Sequence, residues 1–405
     1  MGLATPEAVK ALPASTEVIM ADGKWIIPGL IDGHVHAESD SDLKTMLNWG
    51  VTSVRLMAED VAAAHALAVA SRERRDIPEV FPATPIFTAK GGWWDQGEPA
   101  DAQVDRFPKT AEAARAAVRK AKELGSKEIK LMLDDMSWCR DPKPPLPRMK
   151  PEVAKALIDE ARRQGLRATV HAPKIADAKE AIAGGATALA HGVIEPLDDA
   201  TIAVMKKRSI FYIPTMDVFD FLADTRKFVD YVLWKSGARL PGGPDEASDG
   251  ALQPRTVARY RSTAYSDAYR ERYPNFANIK GRLSALRYNL KALHDAGVPV
   301  ALGTDMWAFP GLAVSIEIEL YVNGSLYPSE RVDTGMSPLD AIRAATQTAA
   351  RSLGIEDRGT LEPGKRADFL VLYGNPLKDL SAVRHIDGIW KAGIRVGPMS
   401  WPRGP

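Results

Sequence analysis

His34-Val35-His36 is the first place in the chain where side chains could do chemistry together. If the residues before it form a strand, positions i and i+2 share one face, so both imidazoles can reach a single metal ion. A pair of polar strand-end histidines with no ligand is the plainer reading of the same spacing. Two further histidines close apolar runs, His171 after Ala168-Thr169-Val170 and His191 after Leu189-Ala190. Lys130 lies inside Glu128-Ile129-Lys130-Leu131-Met132-Leu133, where a charged side chain is costly without a partner. Asp305 ends the run Val300-Ala301-Leu302-Gly303-Thr304. Taken singly, these are a core histidine, a salt-bridged lysine and a turn aspartate. Taken together, four neutral imidazoles, a carboxylate and a buried lysine suit a divalent ion of the zinc type. His65, His294 and His385 fall in helical or peripheral segments and are expected at the surface.

The elements that must position these groups are legible as short apolar runs alternating with helical patterns. Strands are predicted at Ile27–Val35, Thr52–Met57, Val80–Thr88, Glu128–Leu133, Arg167–Ala172, Ala188–Val193, Ile210–Met216 and Pro299–Asp305. Helices are predicted at Ala111–Leu124, Pro151–Gln164 and Asp177–Ala183, the second with Pro at its start and Gly165 at its stop. Buried-looking strands followed by helices predict a parallel α/β fold, a (β/α)8 TIM barrel of ~250 residues plus insertions. A doubly wound sheet would want a Gly-rich phosphate turn, and Gly29-Leu30-Ile31-Asp32-Gly33 matches no such fingerprint. All four strand histidines and Asp305 then fall at C-terminal strand ends, where barrels place their chemistry. The connection 217–298 is long enough for a lid or a helical insertion on the rim, with Pro241-Gly242-Gly243-Pro244-Asp245 as an exposed loop. Beyond the barrel, Phe369–Leu372 and Gly388–Lys391 read as strands of a small β unit, and Glu17-Val18-Ile19-Met20 as a strand near the start.

Composition narrows the function classes. Hydrophobic residues make up 45% and charged residues 26%, and 53 basic against 52 acidic side chains leave a formal charge of +1. That balance lacks the footprint of a nucleic-acid or anionic-membrane binder. No run reaches the ~18 apolar residues of a membrane span. The lone Cys139 excludes an internal disulfide and any thiolate cluster. A small-molecule substrate is expected, with no nucleic acid and no membrane partner, and the chain is expected to form a homo-oligomer. No signal peptide is visible, so the cytoplasm is the default compartment and the true one stays open.

The order His-x-His, Lys, His, His, Asp on successive strands resembles the amidohydrolase superfamily in its binuclear metal form. Pro28-Gly29-Leu30-Ile31-Asp32-Gly33-His34-Val35-His36 is similar to its opening motif, and Ser337–Thr346 and Gly359–Leu372 to its closing motifs. Within it the chain is most similar to the imidazolonepropionase-like and Xaa-Pro dipeptidase (prolidase-like) branch. The resemblance implies that His34, His36 and Asp305 bind one metal and His171 and His191 a second, most naturally Zn2+. It implies a carbamylated Lys130 bridging both ions, and a bridging hydroxide that attacks a carbonyl with Asp305 as general base and then acid. The implied activity is cleavage of an amide, peptide or related C–N or C–O bond. A lactonase or phosphotriesterase-like hydrolase, a deaminase of the same superfamily and a non-catalytic barrel scaffold are the alternatives.

Departures from the branch bear on substrate. Gly91-Gly92-Trp93-Trp94 stands where a Gly-Gly-His is common, and His171-Ala172-Pro173-Lys174 where a His-Ala-His is common. Trp93 and Trp94 are therefore candidates for an apolar wall, Tyr212 for a polar contact, and Lys174 and Arg226 for a substrate carboxylate. The family's second unit is a β-sandwich built from both termini. The chain is thus expected to divide into a sandwich remnant at 1–29, a barrel at 30–350 with the insertion 217–298, and the rest of the sandwich at 351–405. Only one strand is expected before the His-x-His motif, so an N-terminally truncated sandwich is expected.

Overall fold

The computed structural model describes residues 10–235 and 276–397, apart from 38, 59 and 98–101, together with residues 7, 262 and 271. The loop expected at Pro241–Asp245 lies outside the described residues. Twelve strands are present among those described: β1 Trp25–Pro28, β2 Leu30–Val35, β3 Val51–Met57, β4 Glu79–Ala83, β5 Ile86–Phe87, β6 Glu128–Met132, β7 Arg167–His171, β8 Ala188–Ala190, β9 Phe211–Ile213, β10 Phe369–Leu372, β11 Ile386–Lys391 and β12 Ile394–Gly397. They form two parallel sheets, β2-β3-β4 and β5-β6-β7-β8-β9, and one antiparallel sheet, β1-β10-β11-β12. Helices separate the parallel strands, giving an α/β fold.

The parallel strands are buried on both faces. All seven residues of Val51–Met57 are buried, which explains why the sequence shows continuous apolar runs rather than alternation. The helix Pro151–Arg163 lays Val153, Ala154, Leu157, Ile158 and Ala161 on its inner side, the spacing of an amphipathic helix. The helix Ala111–Glu123 starts at Thr110, whose side chain accepts from the Ala113 N–H, and buries Ala114, Ala117, Val118 and Ala121. These small residues permit close helix–helix packing.

Backbone hydrogen bonds continue beyond the two parallel sheets. Thr84 N donates to Glu128 O (2.9 Å) and Lys130 N to Pro85 O (3.1 Å) between the β4–β5 region and β6. At the other side, Val300 bridges Tyr212 in parallel, and Ala301 N donates to Tyr212 O (2.9 Å). Gly33 N then donates to Leu302 O (2.9 Å), and Asp305 N to His34 O (2.8 Å). The segment 299–305 thus lies between β9 and β2, although it holds only an isolated bridge where a full strand was predicted.

Three other strand expectations need correction. The predicted strand Ile27–Val35 is two strands in different sheets, broken at Gly29, whose N–H donates to Asp368 O while Leu30 N turns to Gly50 O. A Cβ at Gly29 would overlap the Thr52 side chain, so the crossing point requires glycine. The predicted strand Val80–Thr88 also divides, at Thr84-Pro85, where proline has no N–H to continue a ladder. Residues 17–20 are not a strand; Val18 and Met20 are exposed. β-propensity needs a paired neighbour to express itself, and the first strand to find one is β1.

The antiparallel sheet combines a strand from the first thirty residues with three from the last forty. It is tied to the parallel sheets by Lys391, whose buried ammonium donates to Ser71 O, Arg74 O and Ile77 O at 2.7–2.8 Å. Arg358 reinforces the junction, donating to Glu79 Oε2 at 2.9 Å. The connection after β9 is helical where it is described, at Met216–Ala223, Thr225–Lys235 and, after a 3-10 stretch at Phe276–Arg282, Leu283–Ala296. No helix among the described residues is long and apolar enough to cross a membrane.

Candidate active site

His34 is the penultimate residue of β2 and His36 follows the strand's end, so the i, i+2 geometry points both rings the same way. Lys130 lies in the middle of β6, His171 ends β7, His191 follows β8, and Asp305 ends the 299–305 segment. Six residues from five places in the sequence therefore converge at one end of the parallel sheets. Asp305 Oδ1 is 3.5 Å from His34 Nε2 and 3.2 Å from His36 Nε2, while its Oδ2 is 3.5 Å from His191 Nδ1. The rings run in sequence, His36 to His34 at 5.5 Å, His34 to His191 at 4.6 Å and His191 to His171 at 4.8 Å between centroids. One ligand atom from each of His34, His36 and Asp305 lies within 4.8 Å of the others.

Electrostatics favour neutral donors here. Burial, and then the Lys130 charge, hold His34 and His191 well below the usual imidazole range. Burial pushes Lys130 down to about 7, against an opposing pull from Asp305. Lys130 Nζ and both ring nitrogens of His34 and His171 are buried and make no hydrogen bond. Buried polar atoms are normally satisfied, so this cluster of orphaned donors at one spot fits a site built for metal ions.

Several residues that sequence reasoning passed over hold this cluster in place. Asp32 Oδ1 accepts from His34 N (3.1 Å) and Thr304 N (3.0 Å), and Oδ2 from Thr304 Oγ1 (2.7 Å), fastening the two strand ends that carry His34 and Asp305. Asp134, just past β6, lies 3.6 Å from His171 Nε2 and accepts from Met136 N and Trp138 Nε1. Thr215 Oγ1 is 3.0 Å from His191 Nδ1. The signal that could have found Asp134 is the one used for Asp305, a carboxylate at the C-terminal tip of a parallel strand.

The structure sorts the five substrate candidates. Trp94 packs on His36 with ring centroids 4.6 Å apart, and Trp93 lies 6.4 Å from His171. Their loop is pinned by Asp95, whose carboxylate accepts from Gly91 N (2.7 Å) and Gly97 N (2.9 Å). Trp307, two residues beyond Asp305, adds a further half-buried indole that the sequence did not single out. Two expectations are corrected, those for Tyr212 and Lys174. Tyr212 is fully buried on the helix-facing side, packed with Val193, Ile202 and Leu293, and its hydroxyl accepts from Val193 N (3.0 Å). Lys174 is held by Asp135 (2.6 Å), with Asp134 and Asp177 within 4.0 Å, so its charge is already met by three carboxylates. Arg226 is exposed on the helix Thr225–Lys235. His65 and His385 are exposed and His294 is half-buried, as expected of peripheral histidines.

The model of the amidohydrolase family matches residues 25–400. The chain belongs to the amidohydrolase family. Among curated relatives of this amidohydrolase-family chain, the ochratoxinase of Aspergillus niger is 27% identical over 333 residues, covering 80% of this chain and 57% of that protein. The chain thus spans a little over half the length of that relative. The imidazolonepropionase of Geobacillus kaustophilus is 26% identical over 425 residues, covering 94% of this chain and 82% of that one. Among solved structures, a Xaa-Pro dipeptidase with bound methionine in its active site superposes with a TM-score of 0.65 at 22% identity, covering 92% of this chain and 87% of the other. The resemblance to imidazolonepropionases is therefore met on sequence, and that to a Xaa-Pro dipeptidase on fold.

Proposed function

We propose that this amidohydrolase-family chain is a metal-dependent hydrolase that cleaves an amide or peptide C–N bond of a small molecule carrying an aromatic or bulky group. The observation that carries the reading is the convergence of His34, His36, His171, His191 and Asp305 around buried, unpartnered nitrogens. The two parallel sheets, linked through residues 84–85 and 299–305, are read as one (β/α)8 barrel over 30–350 with the insertion 217–298. The strands from 1–29 and 351–405 are read as the family's second β unit.

His34, His36 and Asp305 would hold one divalent ion and His171 and His191 a second, with zinc the best match to imidazole and carboxylate donors. When bound, such ions supply Lewis acidity, acidifying water and polarising a carbonyl. The chain supplies the rest. His34 and His191 are kept neutral by burial, which leaves lone pairs available. Lys130, kept near neutrality by burial, has an amine that could add to carbon dioxide: the N–C bond would form as one C=O π bond opens onto its oxygen, one N–H proton would be lost to solvent, and the side chain would become an anionic carbamate, a ligand that the ammonium cannot be. Asp305 is held in a left-handed turn (φ 54°) by its N–H bond to His34 O, which aims its carboxylate at three histidines. Its Oδ atoms accept the proton of the attacking water and return it to the leaving nitrogen. Trp93 and Trp94 wall one side and exclude water from the acyl or amine group of the substrate.

The test is metal analysis followed by a hydrolysis screen of the metal-loaded protein across N-acyl amino acids, Xaa-Pro dipeptides, lactones and phosphotriesters. About two equivalents of metal and turnover of N-acyl aromatic amino acids are expected. A folded protein that ignores added zinc would overturn the reading, and turnover confined to lactones or phosphotriesters would move it to the C–O or P–O class.

A further inference from the structure

The turn beside His191 is braced by a buried carboxylate about a hundred residues away in sequence. Glu317, fully buried in the helix Leu312–Asn323, accepts from Met216 N with Oε1 (2.8 Å) and from Asp217 N with Oε2 (2.7 Å). These are the first two amides of the helix Met216–Ala223, which have no acceptor within the helix, and the second is one that an N-cap side chain ordinarily satisfies. Thr215 occupies the cap position, yet its side chain makes no capping bond. It sits instead at φ 47°, ψ 52°, an uncommon conformation for a β-branched residue, with Oγ1 3.0 Å from His191 Nδ1. A threonine has one hydroxyl. Here it is committed to the histidine, while Glu317 serves the helix amides. The Asp217 carboxyl and the Tyr321 hydroxyl also face Glu317, and the charge of Asp32 reaches it too.

We propose that Glu317 is a positioning residue for His191: by capping the helix from outside, it holds Thr215 in the left-handed turn, where Oγ1 accepts the Nδ1 proton of His191. This fixes the tautomer whose Nε2 lone pair is free to bind a metal. Asp305 Oδ2, 3.5 Å from the same Nδ1, is the more distant acceptor. The inference rests on the reading of His191 as a ligand. Ligand histidines commonly donate their second N–H to a fixed partner, and loss of that partner costs ~10–100-fold in metal affinity.

The experiment compares the full-length wild type with Thr215→Val, Thr215→Ser, Glu317→Gln and the Val/Gln double variant. Cobalt(II) uptake is followed by chelator competition and visible absorption, and the His191 tautomer by imidazole 15N shifts in protein stripped of metal. Thr215→Val and Glu317→Gln should each weaken one cobalt equivalent ~10–100-fold and alter its spectrum. The double variant should lose no more than the worse single one, and Thr215→Ser should behave as wild type. In stripped protein, the wild-type ring should be protonated at Nδ1 and the Val and Gln variants should show mixed tautomers. Unchanged tautomer and cobalt affinity in a folded Thr215→Val protein would overturn the proposal, and so would a Glu317→Gln protein that loses only thermal stability. If the wild type takes up no cobalt, the metal reading itself fails, while the tautomer measurement still decides whether Glu317 and Thr215 orient the ring.

Discussion

Replacing Lys130 with methionine should make the metal-stripped protein more stable while abolishing its catalysis. Lys130 Nζ is completely buried and bonded to nothing. Burial moves it from 10.5 to about 7, and each unit corresponds to ~1.4 kcal/mol, so keeping the ammonium form inside the fold costs up to about 5 kcal/mol. Methionine has nearly the same length and no charge. Substituting a buried ionic group by a well-packed apolar one typically gains ~1–4 kcal/mol, and that is the gain expected here. The sign with pH follows from the lowered value. The wild type is penalised fully below pH 7, and the penalty fades as pH rises from 7 through 10.5, because the unfolded chain alone then binds the proton. The advantage of Lys130→Met should accordingly be largest at pH 6–7 and shrink towards pH 10. Urea unfolding of chelator-treated protein, followed by tryptophan fluorescence at several pH values, measures it. In parallel, turnover should disappear, and in the truncated Lys130→Ala protein, which leaves room at the site, it should return in part with added short carboxylates. A stripped Lys130→Met protein less stable than wild type at pH 7 would refute the reasoning, because it would show that the lysine is retained for the fold and not for the site.

Trp94→Leu should raise KM for an N-acyl aromatic substrate about tenfold, the ~0.5–1.5 kcal/mol of an aromatic pair plus lost contact area, with little change for an aliphatic one. Equal effects on both would remove Trp94 from the substrate wall. Lys391→Met should cost about 2–4 kcal/mol in urea unfolding, since three charge-assisted bonds to buried carbonyls are lost while the desolvation penalty of the ammonium is relieved; a loss under ~1 kcal/mol would show that the antiparallel sheet docks without it. Asp220, raised by burial from 3.8 to about 7 despite the pull of Arg287, binds its proton more tightly in the folded chain. Its stability contribution is therefore present below pH 4 and fades as pH climbs through 7, by up to about 4 kcal/mol. Asp220→Asn should flatten that part of the stability–pH curve, and an unchanged slope would assign it to other groups.

Read along the chain, the chemistry of the candidate site was unusually legible. His34 and His36 share a face because strand periodicity is local, and Lys130 stood out because a charge inside an apolar run needs a special reason. The same held for the approximate positions of the parallel strands and for the capped helices, whose ends are written in Thr110, Pro151 and Gly165. What escaped was everything that depends on a neighbour distant in sequence. Gly29 splits one apolar run between two sheets because Asp368 and Gly50 offer competing acceptors. Tyr212 and Lys174 look available until Val193 N and three carboxylates claim them. Thr215 and Glu317 carry no motif, and their joint role exists only where two helices meet beneath His191. A sequence states which side chains can ligate, donate or ionise, since that chemistry belongs to each residue. Tertiary packing decides which of those capacities remain unmet, because burial and partner choice are set by residues a hundred positions away.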